Sequence, residues 1–471
     1  MTIVSFVYLT CLSILSLFAL HRLYLTVQYL KIRKRSTPSR EDFYAGPRGG
    51  VTLSHFPMIT VQLPVYNEKN VVERLIKAVS EFEYPKDRFE IQVLDDSTDE
   101  TSELIQKTIS DLKNIQIFHI QRKNREGFKA GALAHGLKKA NGEFIAIFDA
   151  DFVPPRDFLT KMLPSFEDPK VGMVQARWGH LNERENLLTR VQAILLNGHF
   201  GVEHAVRSSN DLFFNFNGTA GIWRKKAIEA SGGWTSDTLT EDLDLSYRAQ
   251  LSGWKFVYHP EVIAPAELPS VVPAFKTQQS RWAKGASQTA TKMIPRIISS
   301  RILFRQKMEA FFHLLSNWAY PLLAILAIFY PWASVQYPTQ AILWAGSWSC
   351  LALFFLVSDE KRELWKRVLE LPLLIAVCAG MSITNGIAVV SGFFQGGGEF
   401  QRTPKHGNLS KKYVVQSSWL ISSLEVVLGF YFVCWSIAAI LTHEFHLLFA
   451  LFLFAFGFLY VGVKSLQLAR T

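Results

Sequence analysis

The stretch Glu143-Phe-Ile-Ala-Ile-Phe-Asp149-Ala-Asp151 constrains this chain more than any other. An apolar run ends there abruptly in two carboxylates one residue apart. Asn141-Gly142 and Pro154-Pro155 bound it, which gives it the length and flanks of a fully buried strand in a parallel sheet. In open α/β sheets, ligands bind beyond the carboxyl ends of the strands, where Asp149 and Asp151 fall. Paired hard oxygens suit Mg²⁺ or Mn²⁺, ions that complete their shells with water and phosphate oxygens, so a nucleotide diphosphate is the ligand to expect. Asp-x-Asp alone also fits an ordinary strand-end turn, and the surrounding pattern has to decide.

From Met58 onward, apolar and amphipathic segments alternate. Residues 58–64, 89–94 and 115–120 read as strands, and 71–82, 101–112 and 129–140 as helices. The alternation predicts a doubly wound, nucleotide-binding α/β domain over residues 39–300. A Gly-x-Gly-x-x-Gly fingerprint and a Walker lysine motif are both missing from the sequence, which disfavours dinucleotide and P-loop chemistry. Loops at the strand ends carry Tyr66-Asn-Glu68, Asp95-Asp96 and Gly127-Phe-Lys129-Ala-Gly131. An aromatic ring and carboxylates can hold a base and ribose, and a lysine between glycines can approach phosphate closely. Each loop alone is equally a turn or cap. Downstream, Thr240-Glu241-Asp242 reads as a helix start, with Thr240 as cap and the acids favoured by the dipole. A carboxylate on a first helical turn is rigidly placed, as a general base has to be. Asn217-Gly-Thr219 also matches a glycosylation acceptor, which a cytoplasmic location would leave unmodified.

Apolar segments flank this domain. Residues 3–20 lack a basic n-region and a small-residue cleavage site, and read as an uncleaved anchor within a segment spanning 1–38. Further apolar spans at 311–332, 339–358, 371–394, 419–441 and 445–466 define a membrane domain over 301–471. The formal charge of +10 concentrates beside these spans, as in Lys31-Ile-Arg33-Lys34-Arg35 and Lys411-Lys412. That placement follows the positive-inside rule and anionic lipid, and no fold motif supports nucleic acid. It sets the 39–300 domain in the cytoplasm. Counting every span as a crossing would carry Arg402, Lys405, Lys411 and Lys412 outside, against the same rule. Gly380, Ser382, Thr384, Asn385 and Gly386 also interrupt the 371–394 span, which is therefore expected as an interfacial or re-entrant segment. About five crossings then remain, with the amino terminus outside and the carboxyl terminus inside. Glu425, within a span, either lines a path through the helices or pairs. Cys11, Cys350, Cys378 and Cys434 lie in apolar segments without Cys-x-x-Cys spacing and read as buried small hydrophobes.

In combination, Asp95-Asp96, Asp149-x-Asp151, Thr240-Glu241-Asp242 and Gln278-x-x-Arg281-Trp282 resemble the processive, inverting glycosyltransferases of family 2, the cellulose and hyaluronan synthase group. The strings beginning at Arg125, Gln175, Phe216 and Thr240 look most like the cellulose-synthase-like A and C branches, makers of mannan and of the glucan backbone of xyloglucan. The resemblance implies a GT-A type nucleotide-sugar-binding domain inserted between transmembrane helices. It implies a β-1,4-linked hexose polymer, made from GDP-mannose or UDP-glucose with Mg²⁺ or Mn²⁺ and passed as a growing polysaccharide across the lipid bilayer. It also implies that Tyr66, Glu68 and one or both of Asp95 and Asp96 contact the nucleoside. Lys129 would lie near the diphosphate, and Asp149 and Asp151 would handle diphosphate and metal. Asp242, with Glu241 beside it, would be the general base, Arg281 would stabilise the leaving group, and Gln278 and Trp282 would complete the motif, a pyranose lying on the indole. Residues 395–412 resemble a gating loop that closes over the donor, with Thr403 and Lys405 facing it and Gly396-Gly-Gly398 as hinge. A single-addition transferase acting on a lipid acceptor would share the fold and the aspartates. Intact Asp149, Asp151 and Asp242 argue against an inactive translocator. The sugar and the oligomeric state stay open at this point.

Overall fold

The computed structural model describes residues 3–35, 56–333, 338–359, 363–398 and 418–468. The described strands of the α/β domain are β1 (Ile59–Val65), β2 (Phe89–Asp95), β3 (Gln116–Gln121), β4 (Phe144–Ile147), β5 (Val171–His180), β6 (Gly221–Arg224) and β7 (Lys255–Ala266). They form one sheet in the order β3-β2-β1-β4-β6-β5-β7. The first four strands and the helices Val72–Ser80, Thr101–Asp111 and Phe128–Leu137 between them fall where the apolar periodicity puts them.

Strand β4 pairs in parallel with β1 but antiparallel with β6, so the all-parallel environment expected for it holds on one side only. Burial explains why the sequence reads the same either way. Phe144, Ile145, Ala146 and Ile147 are all buried, with Phe144 and Ala146 facing one core layer and Ile145 and Ile147 the other. Strands β1 and β2 differ, because Ile59, Val61 and Leu63 enter the first layer while Thr60 and Gln62 face the second. Those polar side chains are paired across the ladder, Thr60 Oγ1 donating to Glu90 Oε1 at 2.7 Å and Gln62 Nε2 to Gln92 Oε1 at 3.0 Å. Burial without such partners would cost about 1–3 kcal/mol per group.

Among the described residues, four helices are long and apolar enough to cross a membrane: Ile3–Lys34, Gln340–Ser358, Trp419–Leu441 and Phe445–Gln467. Two bent pairs raise the number to six if each counts as one span, Phe304–Leu314 with Ser316–Trp332 (45°) and Leu364–Gly380 with Ser382–Phe394 (50°). The break in the second pair falls at Met381, inside the segment expected to be interfacial or re-entrant. The 28-residue helix Val272–Ser299 joins the two halves of the molecule. Its Lys276 Nζ meets Glu425 Oε2 at 2.8 Å, and Thr384 Oγ1 donates to Glu425 Oε1 at 2.8 Å, so Glu425 is a paired, fully buried carboxylate. The cysteines are free, but only Cys11 and Cys350 are buried, Cys378 being half-buried and Cys434 exposed. Thr403 and Lys405, and the basic loop around them, lie outside the described residues.

Candidate active site

The carboxyl ends of β1 and β4 open onto a cleft of about 170 Å³ whose far wall is the Val272–Ser299 helix. Tyr66, Glu68, Asp96, Lys129, Asp149 and Asp151 line one side, and Glu241, Asp242, Gln278, Arg281 and Trp282 the other. Ten residues and more of intervening chain separate most of these groups. Sheet topology brings them together.

Lys129 is placed by the first turn of the helix Phe128–Leu137, entered through Gly127 in the left-handed conformation (φ +68°). Its Nζ reaches Asp149 Oδ1 at 2.5 Å and the Gly218 carbonyl at 3.0 Å. Burial opposes the charge, yet Asp149, Glu241 and Asp242 together hold the ammonium above its ordinary value. Asp149 is fixed in turn by its N–H, which donates to Thr219 Oγ1 at 2.9 Å. Gly218, at φ +80°, lets this loop approach both charges, since a Cβ there would come to 3.0 Å from Asp242 Oδ2 and 3.4 Å from Lys129 Nζ. Asn217 anchors the loop from behind, with Nδ2 2.8 Å from His199 Nε2 and Oδ1 2.7 Å from His204 Nε2. Burial, with Arg207 nearby, pushes His204 down to about 3, so the imidazole is neutral at physiological pH.

Asp242 sits on the first turn of the helix Glu241–Leu251, and its Oδ1 accepts from the Leu243 N–H at 2.8 Å. Burial and the adjacent Glu241 charge raise its pKa to about 7, against the opposing pull of Lys129. A carboxylate so poised is a competent base near neutral pH. Thr240 stands at the cap position as expected but does not cap, because its hydroxyl lies 3.1 Å from Thr289 Oγ1 instead. Trp282 faces Trp178 at 6.3 Å between ring centroids, and Trp178 packs edge-on against Phe152 at 5.4 Å. These rings form an apolar wall beside the two carboxylates.

Asp95 is the site expectation that the geometry redirects. Its side chain is buried away from the cleft and accepts from the Ser97 N–H (2.9 Å), Ser102 Oγ (2.6 Å) and His119 Nε2 (2.8 Å). Burial alone would raise this carboxyl, but the hydrogen bonds from His119, Ser102 and Ser97 hold it well below the usual range. Only Asp96 turns toward the cleft, held by Arg122, whose Nε lies 2.9 Å from Oδ1. Sequence reasoning assigned no role to Arg125, whose guanidinium stacks on Tyr66 with Cζ 3.4 Å from the ring centroid. It stood within a string already singled out, and only the contact distinguishes it from its neighbours.

Two carboxylates in the cleft have the donor chemistry that the expected divalent ion requires. Asp149 and Asp151 supply hard oxygens, and among the described residues no group of three or more His, Cys, Asp or Glu gathers around a metal position. An ion there would draw its remaining ligands from a diphosphate, as Mg²⁺ commonly does.

A sheet of this order, an Asp-x-Asp turn just after β4 and the adjacent carboxylates Glu241 and Asp242 opposite it make the fold that of the nucleotide-sugar transferases. Residues 57–285 match the family described as "Glycosyltransferase like family 2". Glucomannan 4-β-mannosyltransferase 1 of Cyamopsis tetragonoloba is 47% identical over 252 residues, covering 52% of this chain and 48% of that protein. The chain thus spans about half the length of this relative, whereas probable glucomannan 4-β-mannosyltransferase 15 of Arabidopsis thaliana is 34% identical over 442 residues, 87% of this chain and 79% of the relative. The mannosyltransferase PcManGT from Pyrobaculum calidifontis, solved in complex with GDP-Man and Mn²⁺, shares the fold at a TM-score of 0.56 and 20% identity, covering 83% of this chain and 99% of that one. The chain belongs to glycosyltransferase family 2, with glucomannan 4-β-mannosyltransferases of the cellulose-synthase-like A branch as its curated relatives.

Proposed function

We infer that this chain is a membrane-embedded inverting mannosyltransferase that extends a β-1,4-linked mannan or glucomannan from GDP-mannose and delivers the polymer across the bilayer. The observation that carries the reading is the opposition, in one cleft, of a recessed carboxylate tuned to about 7 (Asp242) and a lysine–aspartate pair suited to a diphosphate (Lys129 and Asp149). The names of the curated relatives favour mannose over glucose.

In this reading the acceptor hydroxyl gives its proton to Asp242 while its oxygen attacks the anomeric carbon from the face opposite the nucleotide. The bond from that carbon to the diphosphate oxygen breaks, and the nucleoside diphosphate leaves with the electron pair. One displacement converts an α-linked donor into a β-linked product. Glu241 keeps Asp242 basic, while Lys129 and Arg281 offset charge developing on the leaving group, the kind of preorganised stabilisation that is commonly the largest catalytic contribution. Tyr66, Glu68 and Asp96 hold the nucleoside, and Trp282 and Trp178 give the acceptor sugar a flat apolar wall. Asp149 and Asp151 would hold Mg²⁺ or Mn²⁺, which supplies Lewis-acid neutralisation of the diphosphate when bound.

The deciding experiment incubates the purified full chain, in lipid nanodiscs with Mg²⁺ or Mn²⁺, with GDP-mannose and UDP-glucose separately, and digests the product with linkage-specific glycanases. A long β-mannanase-sensitive product from GDP-mannose is expected. Polymer from UDP-glucose alone would overturn the sugar, and a short lipid-linked product would overturn polymer synthesis.

A further inference from the structure

One side chain, outside the cleft, ties the base-bearing turn to the membrane half. Along the Val272–Ser299 helix, Gln278, Arg281, Trp282, Gly285, Gln288, Thr289 and Lys292 recur at three- and four-residue intervals and so share one face. The first three reach the cleft. The remainder carry the segment 235–244. Gly285 admits it, since a Cβ there would come to 2.6 Å from Thr240 Cγ2. Lys292 Nζ clamps it by ion pairs to Asp237 (2.7 Å) and Asp244 (2.8 Å).

Gln288 lies between these contacts, only 4% exposed, with all of its hydrogen bonds directed at backbone. Its Oε1 accepts from the Leu239 N–H at 2.9 Å, three residues before Asp242. Its Nε2 donates to the carbonyls of Gln395 (2.8 Å) and Gly397 (2.6 Å), which follow the membrane-domain helix Ser382–Phe394. Those two backbone segments also join directly, the Gly397 N–H donating to the Asp237 carbonyl at 2.8 Å. Three pieces of chain, from the base turn, the cleft helix and the membrane half, therefore meet at one amide. Only an amide has the acceptor and the donors that this junction uses.

We propose that Gln288 is a positioning residue for the transfer reaction, coupling the placement of Asp242 to the end of the Ser382–Phe394 helix. The proposal rests on the reading of Asp242 as the base. Its consequence is that turnover depends on contacts of the membrane half that never touch donor or acceptor.

The test uses Q288E, which keeps an acceptor for Leu239 but repels both carbonyls, and Q288L, which removes all three bonds at similar size. Both variants are expected to bind nucleoside diphosphate within about twofold of wild type and to keep the donor KM, while kcat falls at least about tenfold, because a misplaced base loses orientation rather than substrate affinity. G397A strains the same junction from the opposite side, since Gly397 has φ +64° and open space around it. Its kcat defect should combine with that of Q288L less than additively, as for residues in one hydrogen-bonded unit. Retained kcat in both Gln288 variants, a loss appearing equally in nucleotide binding, or full additivity with G397A would each overturn the proposal. Wild-type turnover and D242N, measured alongside, test the underlying assignment of the base separately.

Discussion

Replacing Asp242 by Asn should make the protein more stable as it makes it inactive. Burial and Glu241 raise this carboxyl from an ordinary 3.8 to about 7. Between those values the folded chain keeps a proton that the unfolded chain has lost. The protonated carboxyl's contribution is therefore complete below the ordinary value and is lost progressively as pH rises toward 7. At 1.36 kcal/mol per unit, the strain imposed on the wild type reaches a ceiling of about 4 kcal/mol once the pH exceeds 7. Asn has the same shape without the charge. In thermal melts of the nanodisc-embedded protein, D242N should unfold several degrees above wild type at pH 8, and the gap should close as the pH falls toward 4. Polymer synthesis should drop by about 10²–10⁴-fold, the usual contribution of a general base, with nucleotide affinity preserved. Wild-type kcat should fall on the acid side with an apparent pKa near 7. A D242N protein that still synthesises polymer, or that melts below wild type at pH 8, would refute the tuned-base argument.

Lys129→Met removes a cation that opposes the rise of Asp242, so the acid limb of the pH–rate profile should move above 7 while the donor KM rises, both read from initial rates. Asp95→Asn should lower stability by about 1–3 kcal/mol at neutral pH through its lost hydrogen bonds, with the deficit shrinking in acid, where wild-type Asp95 also becomes protonated; nucleotide affinity of the folded fraction should not change. Lys276→Met strands the buried Glu425 charge and should cost about 3–5 kcal/mol, most of it recovered in K276M/E425Q, as a double-mutant melt series would show.

The positions of β1 to β4 and of the loops after them were legible because apolar period and Gly or Pro bounds are local properties, carried within a dozen residues. The same is true of the helix start at Glu241, although Thr240 spends its hydroxyl on Thr289 rather than on the cap, a contact 49 positions away. Asp95 and Asp96 show the limit from another side. Neighbouring residues at a strand end point in opposite directions, so one of the two had to leave the cleft, but which one depends on the pairing of β2 with β1 and β3. The bend at Met381 lay within a segment marked by small polar residues, whereas the pairing of Glu425 with Lys276 had no local signal at all.

The sequence by itself therefore determined the element types, the family, the apolar flanks and the chemical inventory of the cleft, all of which are written in spacing and residue type. Only the tertiary structure decided the antiparallel insertion of β6 between β4 and β5, the stacking of Arg125 on Tyr66, the raised pKa of Asp242 and the junction at Gln288. Each of these depends on distances between groups far apart in the chain. Packing and desolvation set those distances once the sheet and helices have closed, and no periodicity encodes them.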